Sequence, residues 1–98
     1  MGFKDAKQQV IQCLREGNIL HEARGNIDVK NLLSTGSVSV EHVIEIIARA
    51  RGDSHTSSPH HFDACIEVNI INTKHGGEDW YIKWYFLEPD SVFISVHH

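Results

Sequence analysis

Long apolar runs are missing from this chain of 98 residues: no segment approaches the roughly 20 consecutive apolar residues that span a bilayer. The sequence therefore reads as having no membrane-crossing helix. Met1-Gly2-Phe3-Lys4-Asp5 enters an amphipathic pattern directly, without the apolar core of a signal peptide. Gly2 is not followed by Ser or Thr at the position a myristoylation signal requires. Cysteine is scarce. Cys13 and Cys65 lie far apart in sequence, among apolar neighbours, with no CxxC or other metal-ligand spacing. That usage argues for a reducing, cytoplasmic setting. Basic residues are also in deficit, with 9 Lys and Arg against 13 Asp and Glu and a formal charge of −4. A protein held to nucleic acid by backbone attraction alone would carry the opposite balance. Internal repeats are lacking, and so is the low apolar content of a disordered chain, so residues 1–98 are expected to form one domain.

Histidine is what the sequence has in excess, with eight in all. Imidazole exchanges protons near neutral pH and is also the commonest metal ligand.

Residues 4–16 carry Ala6, Val10, Cys13 and Leu14 at helical spacing, widened by Ile11 and stopped by Gly17-Asn18. Residues 18–24 favour a brief strand, and 27–34 one or two helical turns. Ser39 is an N-cap candidate with Glu41 in the first turn; Val40, Val43, Ile44, Ile47 and Ala48 then follow at helical intervals to Arg49 and Arg51. Residues 53–61 read as a polar loop. Three strand-like runs follow, 62–72, 80–88 and 91–97, separated by Gly76-Gly77 and by Glu88-Pro89-Asp90. Alternation places Ile66, Val68 and Ile70 on one face of the first run, Trp80, Ile82, Trp84 and Phe86 on one face of the second, and Val92, Ile94 and Val96 on one face of the third. The expected fold is α+β, with N-terminal helices packed on one face of a C-terminal antiparallel sheet.

The polar face of that sheet carries Tyr81 and Lys83, with His97 near the chain end. A phenol, a cation and an imidazole over one surface suit a phosphodiester, the lysine stabilising developing negative charge while His or Tyr handles the proton. His55, His60 and His61 in the adjoining polar segment are further acid–base candidates, with solvated loop residues as the plain alternative. Metal binding by these histidines is the weaker reading, because no HxH or HxxxH spacing is present. Trp80 and Trp84 read as core rather than as platforms for stacking bases.

The order of these features resembles the MqsR-type ribonuclease toxins, relatives of the RelE-like toxins. The resemblance runs through Glu16-Gly17-Asn18-Ile19, Leu32-Leu33, Val43-Ile44, Asp53, Ser57, Asp63, Ile66, Tyr81-Ile82-Lys83 and Ser95-Val96-His97. It implies a RelE-like architecture and a small cytoplasmic endoribonuclease that needs neither metal nor small-molecule cofactor and is restrained by an antitoxin. The family's active-site tyrosine is matched by Tyr81, and its basic residue at the end of the last strand falls on His97. Its loop lysine falls on Thr56, beside His55, and its glutamine falls on Val68, so those two functions are lost. The catalytic set this leaves is His55, His60, His61, Tyr81, Lys83 and His97, with RNA as substrate. The competing readings are a non-enzymatic interaction domain of the same shape and a metal-binding module built on the loop histidines.

Overall fold

Apolar residues three and four positions apart give the first helix its buried side. In the computed structural model, which describes residues 2–22, 31–60 and 63–98, α1 (Phe3–Glu16) buries Ala6, Val10, Cys13 and Leu14. Gly17 ends it in the left-handed conformation, φ 76°, with its N–H donating to the carbonyl of Cys13. The second helix, α2 (Val40–Arg49), begins at Ser39, whose Oγ accepts the N–H of His42 at 3.1 Å. It buries Val43, Ile46 and Ile47. Lys7 of α1 donates from Nζ to the carbonyl of Ala50 at 3.0 Å, bringing a cation to the C-terminal end of α2.

One five-stranded sheet lies against these helices, in the order β1-β5-β4-β3-β2. Its strands are β1 (Ile19–His21), β2 (His55–Pro59), β3 (Glu67–His75), β4 (Glu78–Leu87) and β5 (Asp90–His97). The last three form the expected meander, turning through Gly76-Gly77, both at positive φ, and through Glu88-Pro89. Only glycine enters the first of these turns without strain. The strand expected within 18–24 forms at Ile19–His21.

Four expectations are corrected. The sheet is mixed rather than antiparallel, because β1 runs parallel to β5, with Ile19 opposite Ser91 and His21 opposite Phe93. Three residues carry no local signal of strand direction; the free edge of β5 decides it. Within the polar segment 53–61, residues 53–59 are not a loop either. A turn of 3-10 helix, Gly52–Ser54, leads into β2, which pairs antiparallel with β3 from His55 opposite Ile71 to Pro59 opposite Glu67. Backbone hydrogen bonding makes this strand, and its edge position tolerates exposed Ser and Thr and a terminal Pro.

The third correction concerns phase in β3. Register places Asn69, Ile71 and Thr73 opposite Trp84, Ile82 and Trp80, so they share the face that meets the helices. Val68, Ile70 and Asn72 take the other face, opposite Tyr85, Lys83 and Tyr81. The apolar run Ile70-Ile71 fits either phase, and pairing with β4 selects Ile71. In β5, a bulge opposite Lys83 and Trp84 supplies the fourth correction. Val96 pairs with Ile82 and Ser95 with Lys83, but Trp84 then meets Phe93 rather than Ile94. One extra residue inverts the alternation, turning Phe93 and Ser91 inward and Val92 to the opposite face.

The core is accordingly built from Ala6, Val10 and Leu14 of α1, Val43, Ile46 and Ile47 of α2, and Ile71, Trp80, Ile82, Trp84, Phe93 and Val96 of the sheet. Both tryptophans are core, as read. Leu32 and Leu33 pack against its margin within a turn spanning 31–36, while residues 27–30 of the expected helical segment lie outside the described residues. Among the described residues no helix is long and apolar enough to cross a membrane.

Candidate functional site

With both helices on one side, the other face of the sheet presents a row of polar side chains. Tyr81, Lys83 and Tyr85 succeed one another on the middle strand β4, spaced about 7 Å apart by the strand repeat. Lys83 lies between Ile70 of β3 and Ser95 of β5, and Tyr81 between Asn72 and His97. The Tyr81 and His97 rings stack, their centroids 5.2 Å apart and their planes 25° from parallel. Both are half-buried, as is Lys83. A phenol, an imidazole and an ammonium thus share a surface that water and a ligand can reach.

The far end of this face, about 13 Å along β4, holds a second group. The His60 ring meets Tyr85 edge-on at 4.8 Å, and His60 Nε2 lies 3.1 Å from Glu22 Oε2. The His60 side chain is 8% exposed and that of Glu22 16%, so the two form a largely buried polar pair. The main chain at His60 is fixed by donation from its N–H to the Ile66 carbonyl at 2.8 Å.

His55 stands apart from both groups. Its position on β2 turns it to the helix side, where its Nε2 bonds Asn69 Oδ1 at 2.9 Å and its ring lies 5.1 Å from that of Phe3. It satisfies an almost wholly buried Asn69 amide oxygen, a structural task. Of the six residues read from sequence, Tyr81, Lys83 and His97 therefore come together, and His60 shares their face at its other end. His55 is separated from them by the sheet, and His61 lies outside the described residues. His55 and His60 lie on opposite faces, and no group of three or more His, Cys, Asp or Glu side chains among the described residues is arranged to hold a metal ion.

Two residues of this face were not among the site candidates read from the sequence. Tyr85 had a signal, its alternation with Tyr81 and Lys83. Glu22 had none, because its approach to His60 depends on β1 docking beside β5, where the Glu22 N–H donates to the Phe93 carbonyl at 3.0 Å.

The chain matches no protein-family model and no curated protein.

Its chemistry is therefore read from the geometry. Phosphoryl transfer without metal needs a proton acceptor, a proton donor and a stabiliser of oxyanion charge within one substrate's reach. Tyr81, His97 and Lys83 supply these functional groups on adjacent positions. At the sheet edge, His21 is perturbed: its ring faces Phe93 at 6.3 Å, and the Asn31 amide N–H lies 3.1 Å from Nδ1. Desolvation lowers its pKa below 6.5.

Proposed function

We propose that the chain is a small metal-independent endoribonuclease of the toxin type, working on the sheet face that carries Tyr81, Lys83 and His97. The stacked Tyr81–His97 pair, with Lys83 next along β4, is the observation that carries this reading. His97 and Tyr81 are the two positions at which the chain resembles MqsR-type toxins in residues of catalytic type, and they are cross-strand partners.

In the reaction this implies, the RNA 2′-hydroxyl attacks the adjacent phosphorus as His97 accepts its proton. The bond to the 5′-oxygen breaks, and that oxygen takes a proton from Tyr81 or from the protonated His97 of a second orientation. The products are a 2′,3′-cyclic phosphate and a 5′-hydroxyl. Lys83 stabilises the equatorial oxygens of the pentacovalent intermediate. Fixing the nucleophile beside its own phosphate supplies much of the rate, so no metal-bound water is required. Lys74, on the same face by register, adds a phosphate contact despite the chain's net charge of −4. An antitoxin would restrain the enzyme by covering this face.

Purified chain incubated with single-stranded RNA in excess chelator tests the proposal. Cleavage products ending in a cyclic phosphate are expected, with losses of roughly 100-fold or more in His97→Ala and Lys83→Ala. Intact RNA with the wild-type chain, and no growth arrest on expression, would overturn it.

A second reading, a non-enzymatic interaction domain, is favoured by the edge strand β2. It stands at the end of the sheet order, with Thr56, Ser57 and Ser58 exposed, where a partner strand can add by main-chain hydrogen bonds. His97→Ala would leave every phenotype unchanged under that reading.

A further inference from the structure

Strand β2 is the last in the sheet order, so one side of its main chain has no strand beside it among the described residues. What that side offers follows from the ladder with β3. Opposed residues of an antiparallel pair alternate between exchanging both main-chain hydrogen bonds and exchanging none. The His60 N–H donates to the Ile66 carbonyl at 2.8 Å, one step beyond Pro59 opposite Glu67, so 60 and 66 are a bonded pair. Ser58 with Val68 and Thr56 with Ile70 are then bonded too, and His55, Ser57 and Pro59 turn their main-chain groups away from β3. Of these, the His55 N–H already donates to the Gly52 carbonyl, and Pro59 has no N–H. The open edge therefore presents three acceptors, the carbonyls of His55, Ser57 and Pro59, and one donor, the Ser57 N–H.

This inventory decides between partners. Two copies of β2 bring one outward donor each, so they share at most two hydrogen bonds in any register. An unrelated extended segment, of either polarity, has an N–H at every second position on the side facing β2. It forms four hydrogen bonds, three donated to β2 and one accepted from Ser57. A side-chain site adjoins the edge. Ser57–Pro59 and Ala64–Glu67 line a cleft of about 290 Å³, and Glu67 carries the one charge among these residues. Glu67 is exposed and makes no ion pair with another described residue. A residue added opposite Pro59 shares the face of Glu67, two strand spacings or about 9.6 Å away, a distance that a Lys or Arg side chain spans.

We propose that the open edge of β2 binds an extended, basic peptide segment of another protein by strand addition, with a Lys or Arg of that segment directed to Glu67. Such a partner belongs to the interaction-domain reading, on which this site rests, and involves no RNA cleavage.

Nuclear magnetic resonance titration of the isotope-labelled full chain tests the site. The probe is a short synthetic peptide of alternating Thr and Val around one central Lys, blocked at both ends. Amide shifts are expected in β2 and in residues 63–67, including the Ser57 N–H. Methylating the peptide's main-chain nitrogens at one alternate set of residues should weaken binding by about tenfold or more, and methylating the other set should leave it unchanged. Ser57→Pro removes the single outward donor without touching the ladder with β3 and should weaken binding to a similar extent. Glu67→Gln should weaken the Lys peptide by about two- to fivefold and leave a norleucine counterpart unaffected. Absence of shifts in β2, equal tolerance of both methylation patterns, unchanged affinity in Glu67→Gln or in folded Ser57→Pro, or pairing of the chain with itself through β2 would each overturn the proposal. The methylated peptides alter the probe alone, so they decide the matter even where Ser57→Pro unfolds. The interaction-domain reading is judged separately by the phenotype of His97→Ala, and it stands if a partner docks elsewhere on the chain.

Discussion

Replacing Ile71 with Ala and, separately, Ile70 with Ala tests which face of β3 packs on the helices. Ile71 is fully buried opposite Ile82, whereas Ile70 is half-buried on the other face between Lys83 and Thr56. Ile→Ala removes three carbon groups worth about 0.8 kcal/mol each when buried, so loss of burial costs Ile71→Ala about 2.4 kcal/mol. A cavity that cannot fully collapse adds about 24 cal/mol per Å³, bringing the total to roughly 3–4 kcal/mol. At Ile70 much of the side chain is already hydrated and no closed cavity forms, which leaves about 1 kcal/mol. For a domain of this size each kcal/mol moves Tm by about 4–8 °C. The drop is then roughly 12–30 °C for Ile71→Ala and 4–8 °C for Ile70→Ala. Urea titration followed by tryptophan fluorescence reports the difference, because Trp80 and Trp84 are in the core that unfolds. The slope of free energy against urea should stay constant across the variants. Equal losses, or a larger loss at Ile70, would refute the face assignment. Tyr81, Lys83 and His97 would fall with it, since register ties them to the face of Ile70.

Ser91 is fully buried and its hydroxyl has no hydrogen-bond partner among the described residues, so Ser91→Ala should leave stability unchanged or raise it by up to about 1 kcal/mol; a loss of that size would show a partner. Ser39→Ala should cost about 1 kcal/mol in thermal or urea unfolding by removing the cap on His42 N–H, and Ser39→Asp should restore most of it. Because His21 has a folded-state pKa below 6.5, the unfolded chain binds the extra proton first as pH falls. Its contribution is present above pH 6.5 and lost as pH drops through the folded-state value. His21→Gln should accordingly flatten the fall in stability below pH 6.5, and an unchanged slope would remove His21 from that account.

Much of this molecule is legible in its sequence because local periodicity is set by covalent geometry. The 3.6-residue spacing of Ala6, Val10 and Leu14, the stop at Gly17, the cap at Ser39 and the strict alternation of Trp80, Ile82 and Trp84 against Tyr81, Lys83 and Tyr85 each follow from residues that are neighbours in sequence. Tyr81, Lys83 and His97 were assigned to one face on that basis, and they share it. What tertiary structure decided is everything that depends on pairing between distant segments. Ile70-Ile71 suits either phase until β4 selects one, and the bulge beside Lys83 turns Phe93 inward against its local pattern. His55-Thr56-Ser57-Ser58 carries no strand signal and becomes one only because β3 offers an unpaired edge. Backbone groups pair without regard to side-chain type, so β2, the parallel pairing of β1 with β5 and the meeting of Glu22 with His60 were written in no short stretch of residues.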